Sequence, residues 1–349
     1  MSARVYTLRE LAEHIGAKIV GDDQQKIYRL ATLQDAADGE LSFLSNSKYL
    51  QFLESTEATA VIVDSATAES CPANALVVED PYFAYAKISR LFDQSAARKI
   101  GVHPSAVVSS DCSLGSNVSI AANVIIEPGV SIGNDVSIGA GSYIGADCSI
   151  GGGTTLNANV SLYHAVTIGL RCIIHSGAVI GSDGFGFANH EGRWEKVHQL
   201  GGVTIGNDVD VGASTCIDRG AISDTIICNG VKLDNQIQIA HNVVIGEHTA
   251  IAGNAGVAGS AEIGSYCTIG GASAVAGHIK IADHVHVSGM AMVTHSLSKP
   301  GVYSSGTGLT DNLTWRKNTA RFKKLDEYTR RLFRLEKKFE QTFGEKNKD

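Results

Sequence analysis

"VSIGNDVSIGAGSYIGADCSIG", residues 130–151, repeats itself every six residues. Ile132, Ile138, Ile144 and Ile150 mark the beat, and mostly small or polar residues fill the steps between them. A helix returns an apolar face every three and four residues and an alternating strand every two, so a period of six fits neither. It fits a strand of a few residues followed by a turn, many times over. Counted outward, the register reaches back to Val102 and on to Ile180, fourteen positions without a polar residue. It resumes at Ile205, Val211 and Ile217, then runs from Ile227 to Val293 for twelve more. With roughly a quarter of residues Ile, Leu or Val, runs this long do not arise by chance. Gly133, Gly139, Gly145, Gly151, Gly206 and Gly246 follow the aliphatic and are expected at left-handed corners. Asn134, Asn207 and Asn254 are expected to tolerate such corners too.

This is the pattern of a hexapeptide β-helix, in which short parallel strands coil around stacked aliphatics. Each fully buried Ile, Leu or Val contributes roughly 1.5–3 kcal/mol from the apolar area removed from water. The resemblance to hexapeptide proteins implies three hexapeptides per coil and left-handed winding. At 18 residues per coil, His241 and His278 are separated by two coils and one residue. That puts them near one edge, roughly 10 Å apart at the usual strand spacing. The first break holds "SDGFGFANHEGRWEKVHQLGG", residues 182–202, with Phe185, Phe187 and Trp194 among its glycines. A loop thrown out of a regular coil either binds something or caps its own helix. The second break, Asp218 to Ser223, lengthens one turn by four residues.

The β-helix is expected over residues 101–305. Residues 1–100 lack the period and read as a small α+β domain. "TLRELAEHIG" gives a helix starting at Thr7, "KIV", "ATAVIV" and "NALVVED" give strands, and "PYFAYAKISRLFD" gives a helix opened by Pro81. Residues 306–349 read as helical. Leu325, Tyr328, Leu332, Leu335 and Phe339 alternate spacings of three and four, fitting either a coiled-coil seam or packing on the body. Gly344 is the expected stop.

The 349 residues carry a net charge of −7, which argues against general nucleic-acid binding. Residues 311–349 hold 12 Lys or Arg against 7 Asp or Glu, a net of +5, which leaves −12 on the rest. A basic tail on an acidic body suits a local acidic partner or a solvated helix face. The seven cysteines show no C-x-x-C pairing. Cys112, Cys148, Cys172 and Cys267, each two residues before an aliphatic position, read as small buried fillers in a reducing compartment. With neither a signal-like start nor an apolar run of about 18 residues, a cytoplasmic protein is expected.

Beyond the hexapeptides lie more specific stretches: "LSFLSNSKYLQFLEST", "GSDGFGFA", "IDRGAISDTIICNGVKLDNQIQIAHNVVIG", "GGASAVAGHIKI" and "PGVYSSG". Together they resemble the UDP-3-O-acylglucosamine N-acyltransferases of Gram-negative lipid A biosynthesis, over essentially the whole chain. The resemblance implies a homotrimer with active sites between adjacent β-helices. It implies transfer of a 3-hydroxyacyl group from acyl carrier protein to the 2-amine of a UDP-3-O-(3-hydroxyacyl)-glucosamine. No metal or resident cofactor is implied, since 4'-phosphopantetheine enters on the carrier. His241 is then the general base, His278 lines the reacting carbonyl, and the Gly259 N–H meets the oxyanion. Phe43, Asn46 and Tyr49 match uracil-binding positions.

The chemistry suits these assignments. An amine attacking a thioester sheds a proton, and an unperturbed histidine, titrating near about 6.5, is largely neutral at cytosolic pH and can accept it. Such assistance is worth ~10²–10⁴ in rate. A glycine lets a backbone N–H approach a developing oxyanion closely. Asp234 is a candidate to orient His241, from its own chain or a neighbouring subunit. Met290 and Met292 are candidates to close an acyl groove. Arg316, Lys317, Arg321, Lys323 and Lys324 suit an acidic carrier protein. His164, His175, His248, His284, His286 and His295 carry no assigned role. The alternatives are an acyltransferase drawing on coenzyme A, a zinc hydratase similar to γ-type carbonic anhydrases, and a non-catalytic scaffold. The zinc reading wants a third histidine where Asp283 stands.

Overall fold

The computed structural model describes residues 4–94, 99–306 and 308–343; Gly344, the expected helix stop, lies outside them. Contacts divide the chain into two compact units, Met1–Ala97 and Arg98–Asp349.

The second unit is a three-faced parallel β-helix. Its strands are mostly two residues long, and each pairs with the strand one coil on. Ile120 pairs with Ile138, Ile126 with Ile144 and Ile132 with Ile150, an offset of 18 residues throughout. Three hexapeptides therefore make one coil, as expected. Face I runs from Val102 to Tyr303 in eleven strands, face II from Val108 to Val293 in ten, and face III from Leu114 to Ile281 in nine. From Ile120 to Val293 every aliphatic on the beat is less than 10% exposed, and together they form one continuous core. The first coil departs from this: Val102 is 48% and Leu114 39% exposed. A terminal coil of a stacked repeat has a neighbour on one side alone.

The corners correct one expectation. At most corners the left-handed residue stands three places after the inward aliphatic, as at Asp135 (φ 58°) and Asn254 (φ 59°). Gly133, Gly139, Gly145, Gly151, Gly206 and Gly246 are not left-handed. They are glycine because the next coil passes too close: a Cβ on Gly133 would lie 2.6 Å from the Gly152 nitrogen. Asn134 and Asn207 are not left-handed either; their Oδ1 atoms accept from the Ser116 and Leu170 N–H groups of the coil before.

The cysteines also do more than fill space. The Cys148 thiol donates to the Tyr163 carbonyl at 2.9 Å, as the Ser142 and Thr154 hydroxyls do to Asn157 and Gly169. Burial pushes the Cys148, Cys172 and Cys267 thiols up, away from reactive thiolate.

Two insertions interrupt the stack. Ile168 pairs with Ile205 across 37 residues, 19 more than a coil, and Ile205 with Ile227 across 22, four more. The first insertion carries an antiparallel hairpin, Phe187–His190 with Arg193–Lys196. Its two-residue turn, Glu191 and Gly192, has positive φ at both positions, the geometry that suits strand twist.

The first unit holds a five-stranded sheet in the order Lys18–Val20, Asn74–Val77, Ala60–Val63, Glu40–Phe43, Arg29–Leu30. Helix Leu8–Ile15 opens on a Thr7–Glu10 capping box and ends at Gly16 in the left-handed conformation. Helix Pro81–Ser89 is capped by Asp80. Beyond the β-helix, helices Asn312–Phe322 and Leu325–Phe343 follow. Leu325, Tyr328, Leu332, Leu335 and Phe339 are each 47–64% exposed, so within one chain the seam does not pack on the body. No described helix is long and apolar enough to cross a membrane.

Candidate active site

His241 stands two residues after inward-facing Ile239, at the corner that ends face II. Its ring lies in a slot between two glycines. A Cβ on Gly259, one coil on, would sit 2.6 Å from Nε2, and a Cβ on Gly184, from the first insertion, 2.7 Å from the His241 Cβ. Nothing larger than hydrogen fits at either place without moving the imidazole. The ring borders a cavity of about 660 Å³ lined also by Asp183, Phe185, Phe187, Lys196, Asp218 and Gln238. The aromatic insertion is therefore a wall of the histidine's cavity, not a cap on the end of the helix.

The second insertion holds the first in place. Leu200 and Gly201 donate their N–H groups to the Ala221 and Gly220 carbonyls, at 2.8 and 3.0 Å. Arg219 clamps both ends of the first insertion: its N–H donates to the Ser182 carbonyl and its Nε to that of Gly201, each at 2.8 Å. This guanidinium is 1% exposed and donates further to the ring and carbonyl of His164. His164, without a role in the sequence reading, is thus a partner of a buried charge.

Asp218 is the site residue that sequence reasoning missed. The register slips between Ile180 and Ser182, which brings the Ser182 hydroxyl to 3.0 Å from the Asp218 carboxylate. Gln238 donates to its other oxygen at 2.9 Å. Burial raises the carboxyl above the usual aspartate range; those two hydrogen bonds and the charge of His241 pull it partly back, and Asp183 pushes it up further. Asp183 itself is held below that range, chiefly by Lys196 at 2.5 Å. The four-residue break at Asp218 was the available signal, since a regular coil needs no extra residues there.

Asp234 is corrected as a same-chain partner of His241. It follows the face I strand Lys232–Leu233, at another corner, where Oδ2 accepts from the Gly253 N–H and Oδ1 from Asn235. Seven residues carry the chain past one corner, and the carboxylate is used to close its own. The His241 Nδ1 instead faces Asn242 Oδ1 at 3.1 Å.

His278 shares the corner two coils on. It is exposed, left-handed, and does not line the cavity of this chain. The Gly259 N–H has no acceptor among the described residues, while the residue beside it, Ser260, donates to the His241 carbonyl. Met292 ends the outward row of face II: in register below it come Ala274, Gly256, Gln238, Cys216 and Val179. Met290 is 80% exposed at the preceding corner. Asp283 Oδ1 accepts from the Ser265 N–H. Among the described residues no three His, Cys, Asp or Glu side chains gather as a metal site would require.

In the first unit Phe43, Asn46 and Tyr49 border one cavity of about 340 Å³ together with Thr32 and Tyr82. Phe43 ends a strand, its ring stacked on Tyr85 with centroids 4.1 Å apart. Asn46 caps the short helix Ser47–Phe52 by accepting from the Lys48 N–H. Arg316, Lys317 and Arg321 lie on helix Asn312–Phe322, and Lys323 and Lys324 follow it. All five are exposed and without an ion pair among the described residues.

A six-residue parallel β-helix is the fold of hexapeptide proteins, and residues 111–146 match the bacterial transferase hexapeptide model. Residues 24–91 match the model of UDP-3-O-(3-hydroxymyristoyl) glucosamine N-acyltransferase, LpxD. The chain is 52% identical over 332 residues to the UDP-3-O-acylglucosamine N-acyltransferase of Pseudomonas entomophila, covering 95% of each. It is 52% identical over 338 residues to that of Pseudomonas aeruginosa, covering 97% of this chain and 96% of the other. The chain belongs to the UDP-3-O-acylglucosamine N-acyltransferase family, and it is an N-acyltransferase.

Proposed function

We propose that the chain transfers a 3-hydroxyacyl group from acyl carrier protein to the 2-amine of UDP-3-O-(3-hydroxyacyl)-glucosamine, with His241 as general base. The observation that carries this reading is the slot itself: an imidazole seated between Gly184 and Gly259, over a cavity that also holds a carboxylate. In this reading Nε2 takes the proton that the amine sheds as the C–N bond forms. Asp218 steadies the resulting imidazolium, and the unpaired Gly259 N–H receives the thioester oxyanion. The thiol leaves with its phosphopantetheine arm, so no nucleophilic residue, metal or resident cofactor is needed. Gly256 and Ala274 give the acyl chain a low floor along face II, and Met292 stops it. Replacing Met292 by Ala should then lengthen the preferred chain; an unchanged preference would clear Met292 of that role.

The Phe43–Asn46–Tyr49 cavity suits the uracil, two ring faces and an amide being what a base needs for stacking and edge-pairing. The five basic residues fit an acidic carrier protein. The exposed seam of helix Leu325–Phe343 favours association with further copies, as in a homotrimer, where Asp234 of a neighbouring chain could meet His241. The test is to incubate the protein with UDP-3-O-acylglucosamine and a ladder of 3-hydroxyacyl carrier proteins and weigh the products. A diacylated sugar from the carrier but not from the matching coenzyme A thioester supports the reading; the reverse would assign the chain a coenzyme A donor.

A further inference from the structure

We infer that Asn242 is a positioning residue that fixes the tautomer of His241, and that the four-residue insertion exists to fix Asn242. The inference deepens the proposed role of His241 as base and rests on it. Asn242 sits in the left-handed region, φ 60°, at the corner beside the histidine. Its side-chain amide is oriented by two backbone groups of the segment Ala221–Ser223. The Ala221 N–H donates to Oδ1 at 3.0 Å, and Nδ2 donates to the Ser223 carbonyl at 2.6 Å. Turned over, the amide would set N–H against N–H and oxygen against oxygen, so its orientation is not free.

The consequence falls on the imidazole. Oδ1, a pure acceptor with two lone pairs, also faces His241 Nδ1 at 3.1 Å. One lone pair serves Ala221, and the other can be met by a proton on Nδ1 alone. A neutral His241 therefore carries its hydrogen on Nδ1, leaving the Nε2 lone pair at the Gly259 side, where the ring borders the cavity. A base aimed at a substrate in that cavity needs this tautomer. Elsewhere a carboxylate does the orienting; an imidazole left in the wrong tautomer loses up to about 10⁴ in rate. Here a neutral amide does it, held in turn by a segment the regular repeat lacks. The other charged groups lining the cavity are Asp218, Asp183 and Lys196; none of them is hydrogen-bonded to Nδ1.

Two substitutions separate orientation from mere seating of the insertion. Asn242→Gly accepts the positive φ and removes the amide. Asn242→Asp keeps an oxygen for Ala221 and Nδ1 but loses the donor to Ser223. The whole protein is assayed for kcat and KM across pH, with thermal melting alongside. Asn242→Gly should lower kcat by about 10–100-fold with little change in KM or melting temperature. Asn242→Asp should recover most of kcat at alkaline pH and move the acid limb of the profile up by about one unit, because a carboxylate favours the imidazolium. Equal losses in both variants with an unmoved limb would overturn the inference, as would full kcat in Asn242→Gly. His241→Ala run in parallel keeps the two ideas apart. If it is inactive while Asn242→Gly is not, the base stands and the positioning role falls. If it is fully active, the base itself falls.

Discussion

The coils from Val102 to Ile180 and those from Ser182 to Asn242 use the same three faces and the same inward aliphatics, yet they do different work. In the lower stack every pairing is offset by 18 residues, and its corners bond from one coil to the next. In the middle stack the offsets become 37 and 22. There the chain gathers a buried arginine, a half-buried aspartate and a histidine slotted between glycines from two separate segments. A solenoid in which each coil touches only its neighbours can host such departures, because neighbours on either side supply the stability. The candidate site sits where the repeat is broken, with regular coils on either side of it.

The sharpest way to test that division is to charge the regular column. Ile144 is fully buried and Tyr143 beside it is 40% exposed. Ile144→Asp should destabilise the β-helix by more than about 4 kcal/mol, since a carboxylate there has no partner. Tyr143→Asp should stay within about 1 kcal/mol. Denaturant unfolding reads both, and equal effects would deny the column its role. The opposite pattern is expected in the middle stack. His241→Ala should lower kcat by about 10²–10⁴ while leaving the melting temperature unchanged.

A smaller effect tests the wall above the ring. Gly184→Ala places a methyl 2.7 Å from the His241 Cβ, whereas Gly192, at the tip of the same insertion, has no atom within 4 Å of an added Cβ. Gly184→Ala should cost about tenfold or more in kcat; Gly192→Ala should leave kcat alone. Matching kinetics in the two variants would mean that the insertion does not set the position of the ring.

How much of this could be read beforehand follows from what a period encodes. The six-residue beat specifies which side chains face inward, so the core from Ile120 to Val293 was legible; the shared corner of His241 and His278 needed in addition the three hexapeptides per coil that the resemblance implies. It does not encode departures from itself. The reason for Gly133 lay in the backbone of the next coil, and the place of Asp234 in which corner seven residues lead to. Asp218, Arg219 and Asn242 became visible once the extra residues were folded back on the stack. The triplet Phe43, Asn46 and Tyr49 came from the family resemblance, and the three do border one cavity. The seam from Leu325 to Phe339 had the right spacing, but spacing does not say what covers it.

The subtlest expected effect belongs to Asp218, and its sign follows from the direction of the shift. Burial raises this carboxyl above its ordinary value in the unfolded chain, so the folded protein binds the proton more tightly. The stabilisation from that proton is fully present below the ordinary aspartate range and is lost as pH rises through the raised value. Above it the fold holds a partly desolvated carboxylate. Asn at this position cannot ionise, so Asp218→Asn should gain in melting temperature relative to the parent as pH rises from about 4 to about 7. The same variant should lose kcat, because the imidazolium proposed to form on His241 loses the negative charge of Asp218. Melting curves at successive pH values, paired with kcat, decide it. A melting difference that stays flat with pH would show that burial does not govern this carboxylate. An unchanged kcat would separate Asp218 from the chemistry and leave it as one more contact holding the broken coil together.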